Sequence, residues 1–207
     1  EGNNSTAAGS YSHAEGIGCT ASGSGSHVEG IGCMSSGLYS HAEGFNTRAS
    51  AIGAHVEGDR CLASGNYSHA EGTISTASGI YSHAEGNGCT ASGTGAHAAG
   101  RSSVASGAYS YAQGDLNTAS AIGAHAEGGG NLASGNYCHA EGGNNVASGF
   151  YSHVEGQFCV ASNFYAHSEG SNCNAAGVAA HAEGRESTAT AECCHAEGQG
   201  CTASGFA

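Results

Sequence analysis

Small or apolar residues alternate with polar ones in two short bursts, and the pair of bursts returns every fourteen residues along the chain. One burst reads Cys-Thr-Ala-Ser-Gly, as at 19–23, and the other reads Ser-His-Val-Glu-Gly, as at 26–30. Alternation with a period of two predicts a strand in each. In the first, Cys19, Ala21 and Gly23 share one face, and Thr20 and Ser22 the other. In the second, Ser26, Val28 and Gly30 share one face, and His27 and Glu29 the other. Two-residue steps such as Ile17-Gly18 and Ser24-Gly25 join the bursts and predict corners. The small faces are expected to point inward.

The register never slips. Histidine occupies 13, 27, 41, 55, 69, 83, 97, 125, 139, 153, 167, 181 and 195, with Tyr111 in the one vacancy of the series. Glycine follows three residues after each of these positions, from Gly16 to Gly198. Alanine precedes them by six residues, with Ser35 the single exception. A period this strict predicts an all-β, single-stranded parallel β-solenoid with 14-residue coils, two short strands per coil and a small-residue core. One continuous repeat domain is expected over 1–207, as a segment of a longer chain. Coils spaced ~4.8 Å apart predict a rod of about 70 Å. A slower period is visible too: Ala51-Ile52-Gly53-Ala54-His55 returns as Ala121-Ile122-Gly123-Ala124-His125.

Composition narrows the interior. There are 37 Gly, no Pro and no Trp, so Ala, Gly, Ser and Cys must fill the core. The absence of a three-residue Gly period and of Pro rejects collagen, and the fixed register argues against disorder. The formal net charge of −13, with only Arg48, Arg60, Arg101 and Arg185 as cations, disfavours nucleic acid as a partner. No apolar run is long enough to span a membrane, so membrane insertion by this segment is not expected.

The series Ala21-x-Gly23-x-x-Ser26-x-Val28-x-Gly30-x-x-Cys33 resembles the head repeat of YadA-type trimeric autotransporter adhesins. Its Ser-His-Ala-Glu-Gly form is similar to repeats of phage and prophage fibre proteins. The resemblance covers the whole chain. It implies a left-handed β-roll, three chains side by side, an extracellular location on a cell surface or virion, and a role in attachment. The sequence carries no neck, stalk or anchor of that family, and its ten cysteines depart from the pattern.

Three columns carry candidate chemistry. The first is the ladder of His13 and Glu15, His27 and Glu29, His41 and Glu43, His55 and Glu57, His69 and Glu71, His83 and Glu85, His125 and Glu127, His139 and Glu141, His153 and Glu155, His167 and Glu169, His181 and Glu183, and His195 and Glu197. Two readings stay open: a hydrogen-bonded ladder, within a coil or across an interface with other copies of the chain, or a column that chelates zinc between coils. The joint loss of His at Tyr111 and Glu at Gln113 favours the first. No metal ligand and no cofactor is therefore assigned. His97 with Ala99 shows that the coupling is not absolute.

The second column is the corner ridge of Tyr11, Tyr39, Tyr67, Tyr81, Tyr109, Tyr137, Tyr151 and Tyr165, a candidate surface for a host receptor or glycan. Gly25, Gly53, Gly95 and Gly123 replace Tyr at equivalent positions. The third is cysteine. Cys19, Cys33, Cys61, Cys89, Cys159, Cys173 and Cys201 face inward, Cys138 and Cys194 replace the inward Ser, and Cys193 sits at a corner. Small buried filler and coil-to-coil disulfides such as Cys19–Cys33 are both open.

A Thr/Ser face, from Thr6 and Thr20 to Thr202, raises ice binding, but Met34, Arg48, Leu62 and others interrupt it. Repeated ladders do not bring unlike groups together as an active site requires, so no catalytic residue is expected. The sequence thus predicts a structural and adhesive fibre segment, homo-oligomeric and most readily a trimer. The alternatives are a monomeric ice- or metal-binding solenoid, or a protein that stacks end to end into filaments.

Overall fold

The computed structural model describes residues 2–205. It is an all-β parallel solenoid that divides into two compact units, residues 2–102 and 103–205. In the first, one sheet pairs Thr6–Ala7, Thr20–Ala21, Met34–Ser35, Arg48–Ala49, Leu62–Ala63, Thr76–Ala77 and Thr90–Ala91 in that order. The facing sheet pairs His13–Ala14, His27–Ile31, His41–Phe45, His55–Val56, His69–Ala70, His83–Asn87 and His97–Arg101. The second unit repeats this scheme, from Val104–Ala105 to Thr202–Ala203 in one sheet and from Tyr111–Asp115 to His195–Gln199 in the other.

Register follows the sequence period. Thr6 lies opposite Thr20, His27 opposite His41, and Glu141 opposite Glu155. The inward faces are those the alternation predicts. Ala21, Ala42, Ala63, Ala126 and Ala161 are fully buried, and the largest buried apolar side chains are Val28, Val56 and Val154. Each alanine removes little apolar area from water. The coil-to-coil backbone ladder therefore carries much of the cohesion.

The inward serine before each His does more than fill space. Ser26 Oγ donates to Gly23 O, Ser40 to Gly37 O, Ser68 to Gly65 O and Ser82 to Gly79 O, all at 2.7 Å. Each bond closes a corner and satisfies a hydroxyl that would otherwise be costly to bury. Where Cys138 replaces this serine, its thiol donates to Ala147 O at 3.2 Å instead.

The second corner position of every coil is left-handed. The eight corner tyrosines have φ between 55° and 59°, and Gly25, Gly53, Gly95 and Gly123 adopt the same region in the same slot. Left-handed backbone is unfavourable for a bulky L-residue. It persists because the amide is held by the previous coil, as in Tyr67 N to Ile52 O (2.8 Å) and Tyr165 N to Phe150 O (2.9 Å).

Candidate functional site

The backbone builds the His/Glu ladder. Each His opens a strand, and its amide donates to the inward residue one coil on, as in His27 N to Ser40 O and His139 N to Ser152 O, both 2.9 Å. Imidazoles therefore stack. Ring centroids lie 4.7–5.0 Å apart from His13 to His97. From His125 to His195 they lie 4.5–5.0 Å apart.

The glutamate two residues on shares that face. Nε2 to Oε2 distances are 3.4 Å from His13 to Glu15, 3.8 Å from His41 to Glu43 and 3.5 Å from His125 to Glu127. They are 3.8 Å from His139 to Glu141, 4.0 Å from His167 to Glu169 and 3.9 Å from His181 to Glu183. At the vacancy in the His series, the Tyr111 hydroxyl donates to Gln113 Oε1, so a neutral side chain takes the place of the carboxylate as well as of the imidazole.

Within a coil, most of these distances exceed hydrogen-bond length. Glu15 accepts a hydrogen bond from His13 Nε2, whereas the Nε2 atoms of His41, His139, His167 and His181 have no such partner. Side chains two residues apart on a strand start about 6.6 Å apart, so most pairs reach ion-pair but not hydrogen-bond distance. Nor is the carboxylate row uniformly packed. Glu15 lies beyond the end of its strand, His13–Ala14, and its side chain is 56% exposed. Glu29, Glu43, Glu127, Glu141, Glu155 and Glu197 are exposed as well, as are His13 and His195. His27, His55 and His153 stand half-buried in the same columns.

Between Glu57 and His97 the arrangement changes. The strands His55–Val56 and His69–Ala70 stop before their glutamates, whereas His41–Phe45 and His83–Asn87 run through theirs. Glu71 lies between coils, with Oε2 4.0 Å from His69 Nε2 and Oε1 3.9 Å from His83 Nε2. Glu85 does likewise, 4.0 Å from His83 and 3.7 Å from His97. Ala99 pairs opposite Glu85 and ends the carboxylate row. A groove of about 560 Å³ runs over this row, lined by Glu43, Glu57, Glu71, Glu85 and the glycines beside them.

Electrostatics follow from this crowding. Burial first, and then the neighbouring imidazoles, hold His41, His69, His83, His139 and His167 below the usual histidine pKa. Glu71 is pushed up to about 7 by its hydrogen bonding with Glu57, then by burial and Glu85. The Nε2 atoms of His69, His83, His125 and His153 are, like those of the four histidines above, shut off from solvent and without a hydrogen bond. Among the described residues, four sets bring ligating atoms within 4.8 Å of one another: Glu57/His69/Glu71, Glu71/His83/Glu85, His167/Glu169/His181 and His181/Glu183/His195.

In each unit the tyrosine corners form an exposed ridge, with exposures from 49% at Tyr151 to 97% at Tyr11. Where corners follow one another the rings stack: Tyr67 on Tyr81 at 5.4 Å, Tyr137 on Tyr151 at 5.3 Å and Tyr151 on Tyr165 at 5.6 Å. Phe150 and Phe164 stack alongside at 5.8 Å. Beside them a shallow groove is lined by Ser134, Asn136, Ser148, Ser162, Asn163 and the two phenylalanines.

None of the ten cysteines is joined in a disulfide; eight are buried, Cys193 is exposed and Cys201 is half-buried. Cys19 Sγ donates to Gly30 O at 3.2 Å and Cys33 Sγ to Gly44 O at 3.0 Å, so these neighbours act as small donors to the backbone. Burial pushes the Cys138 thiol up to about 11, which disfavours the reactive thiolate.

In comparisons with known proteins, no family model and no curated protein matches the chain. The columns of the ladder and the ridge were legible in the sequence. The inter-coil carboxylates at 57–85 were not, and neither was the left-handed backbone of the tyrosines. Glycine in the tyrosine slot was the signal for the latter.

Proposed function

We propose that the chain is a structural and adhesive segment of an extracellular fibre, with no catalytic role, that associates as a homotrimer and attaches through its aromatic corners. The observation that carries this reading is the tyrosine ridge. Its rings are exposed, stacked and held by the coil-to-coil backbone bonds of a repeating scaffold. Large exposed aromatic surface on a rigid support marks interaction sites. Flat rings beside Ser and Asn side chains suit glycans, whose apolar faces stack while their hydroxyls hydrogen-bond. The stretch from Tyr137 to Tyr165, with its neighbouring groove, is the best-developed part of the ridge. The fibre and trimer assignments rest on the resemblance of the repeat to adhesin heads.

The test is attachment of the full chain to a glycan array and to cultured cell surfaces. Comparison is with a variant carrying Tyr137→Ser, Tyr151→Ser and Tyr165→Ser. Loss of two or three stacked aromatic contacts should weaken attachment by about tenfold or more. Undiminished attachment of the variant, or no attachment by the unsubstituted chain, would remove the adhesive reading.

A further inference from the structure

We propose that Glu57, His69, Glu71, His83 and Glu85 form a two-ion site for divalent transition-metal cations of the Zn2+ type, with Glu71 bridging the ions.

The 4.0 Å gap from His69 Nε2 to Glu71 Oε2 and the 3.9 Å gap from His83 Nε2 to Glu71 Oε1 are too long for hydrogen bonds. A tetrahedral ion that takes imidazole nitrogen and carboxylate oxygen at about 2.0–2.2 Å holds them about 3.4 Å apart, so each gap admits one ion after the carboxylate closes in by roughly half an ångström. Both Nε2 atoms are closed to solvent and have no hydrogen-bond partner, so a cation would satisfy groups that are otherwise orphaned.

The two imidazoles are parallel within 3°, with centroids 4.8 Å apart, so they present their nitrogens side by side. Ions in line with those nitrogens would keep the 4.8 Å spacing of the rings, and one carboxylate bridges them by giving one oxygen to each. Glu57 completes the set around His69, and Glu85 the set around His83. Each ion then has one nitrogen and two oxygen ligands from the protein. The groove above gives entry and room for a water ligand.

Nitrogen together with oxygen donors and no thiolate suits Zn2+; Ca2+ and Mg2+ prefer oxygen alone. The second pair of overlapping sets, in residues 167–195, shares His181. One imidazole nitrogen cannot serve two ions, so that cluster lacks the bridging geometry. Stacked carboxylates at Glu57, Glu71 and Glu85 also repel one another, and cations between the coils relieve that repulsion.

The test is calorimetric titration of the chelator-treated full chain with Zn2+ at pH 7.5. The unsubstituted chain should bind two more ions than Glu71→Gln, and Glu141→Gln should keep the unsubstituted stoichiometry. Equal binding by Glu71→Gln and the unsubstituted chain overturns the proposal, as does an equal loss in both variants. If Glu71→Gln fails to fold by circular dichroism, imidazole NMR of the unsubstituted chain decides. The His69 and His83 signals should shift within the first two equivalents of Zn2+. Earlier movement of His125 and His139 would contradict the site.

Discussion

Asn131 shows how a small-residue interior accommodates a polar side chain. It occupies the slot that Cys and Ser fill in other coils, and it is fully buried. Its Nδ2 donates to Glu127 O at 2.6 Å and Gly142 O at 2.9 Å, and its Oδ1 accepts from Asn145 N at 2.8 Å. Asn117 does the same one coil before, and Asn145 one coil after. A buried amide ladder thus crosses three coils. Asn131→Ala would leave an amide and two carbonyls short of a partner, at a cost of about 2–4 kcal/mol. Chemical denaturation measures it, and a loss below ~1 kcal/mol would contradict the ladder's role. The sequence showed that these residues face inward. It did not show the ladder, because Asn in a slot shared with Ser, Thr and Cys reads only as a small side chain.

At the level of the coil, the strands and their inward faces were readable because a period of two assigns every side chain to a face. The corners were less so, because the sign of φ is not dictated by a tyrosine. Glycine three residues after His is the exception, invariant for a physical reason. Gly156 has φ +106°, outside the region open to other residues, and an added Cβ would overlap Gly170 O of the next coil. Gly156→Ala should therefore cost about 3 kcal/mol or more. Gly143 lies outside that φ region, and its nearest neighbour to an added Cβ is Gln157 Cγ at 3.8 Å. Gly143→Ala should change stability by less than ~1 kcal/mol. Paired thermal melts check both, and similar losses in the two variants would refute the coil geometry.

At the level of the whole molecule, identical repeats do not have identical sites. His69-Ala-Glu71-Gly72 and His139-Ala-Glu141-Gly142 are the same four residues, and so are His13-Ala-Glu15-Gly16. Yet Glu71 lies between two histidines of successive coils and sits in the inter-coil cluster, whereas Glu141 lies 3.8 Å from His139 in its own coil. Glu15 differs again, hydrogen-bonded to His13 and open to solvent. The difference comes from neighbouring coils, which a single repeat does not encode.

The ladder's response to acid has a definite sign. His41, His139 and His167 are held below the ordinary histidine value by burial and by the histidines stacked on either side, with the adjacent glutamates opposing. Stability from the neutral form is complete above the unfolded value near 6.5 and is lost as pH falls through the lower folded values. Protonating stacked rings 4.5–5.0 Å apart adds repulsion along each column.

The native mass of the chain at pH 7.5 and again at pH 5 therefore tests the account most directly. The account predicts an assembly of about three times the 20.1 kDa chain mass at pH 7.5, dissociating at pH 5. A monomer at both values would contradict it.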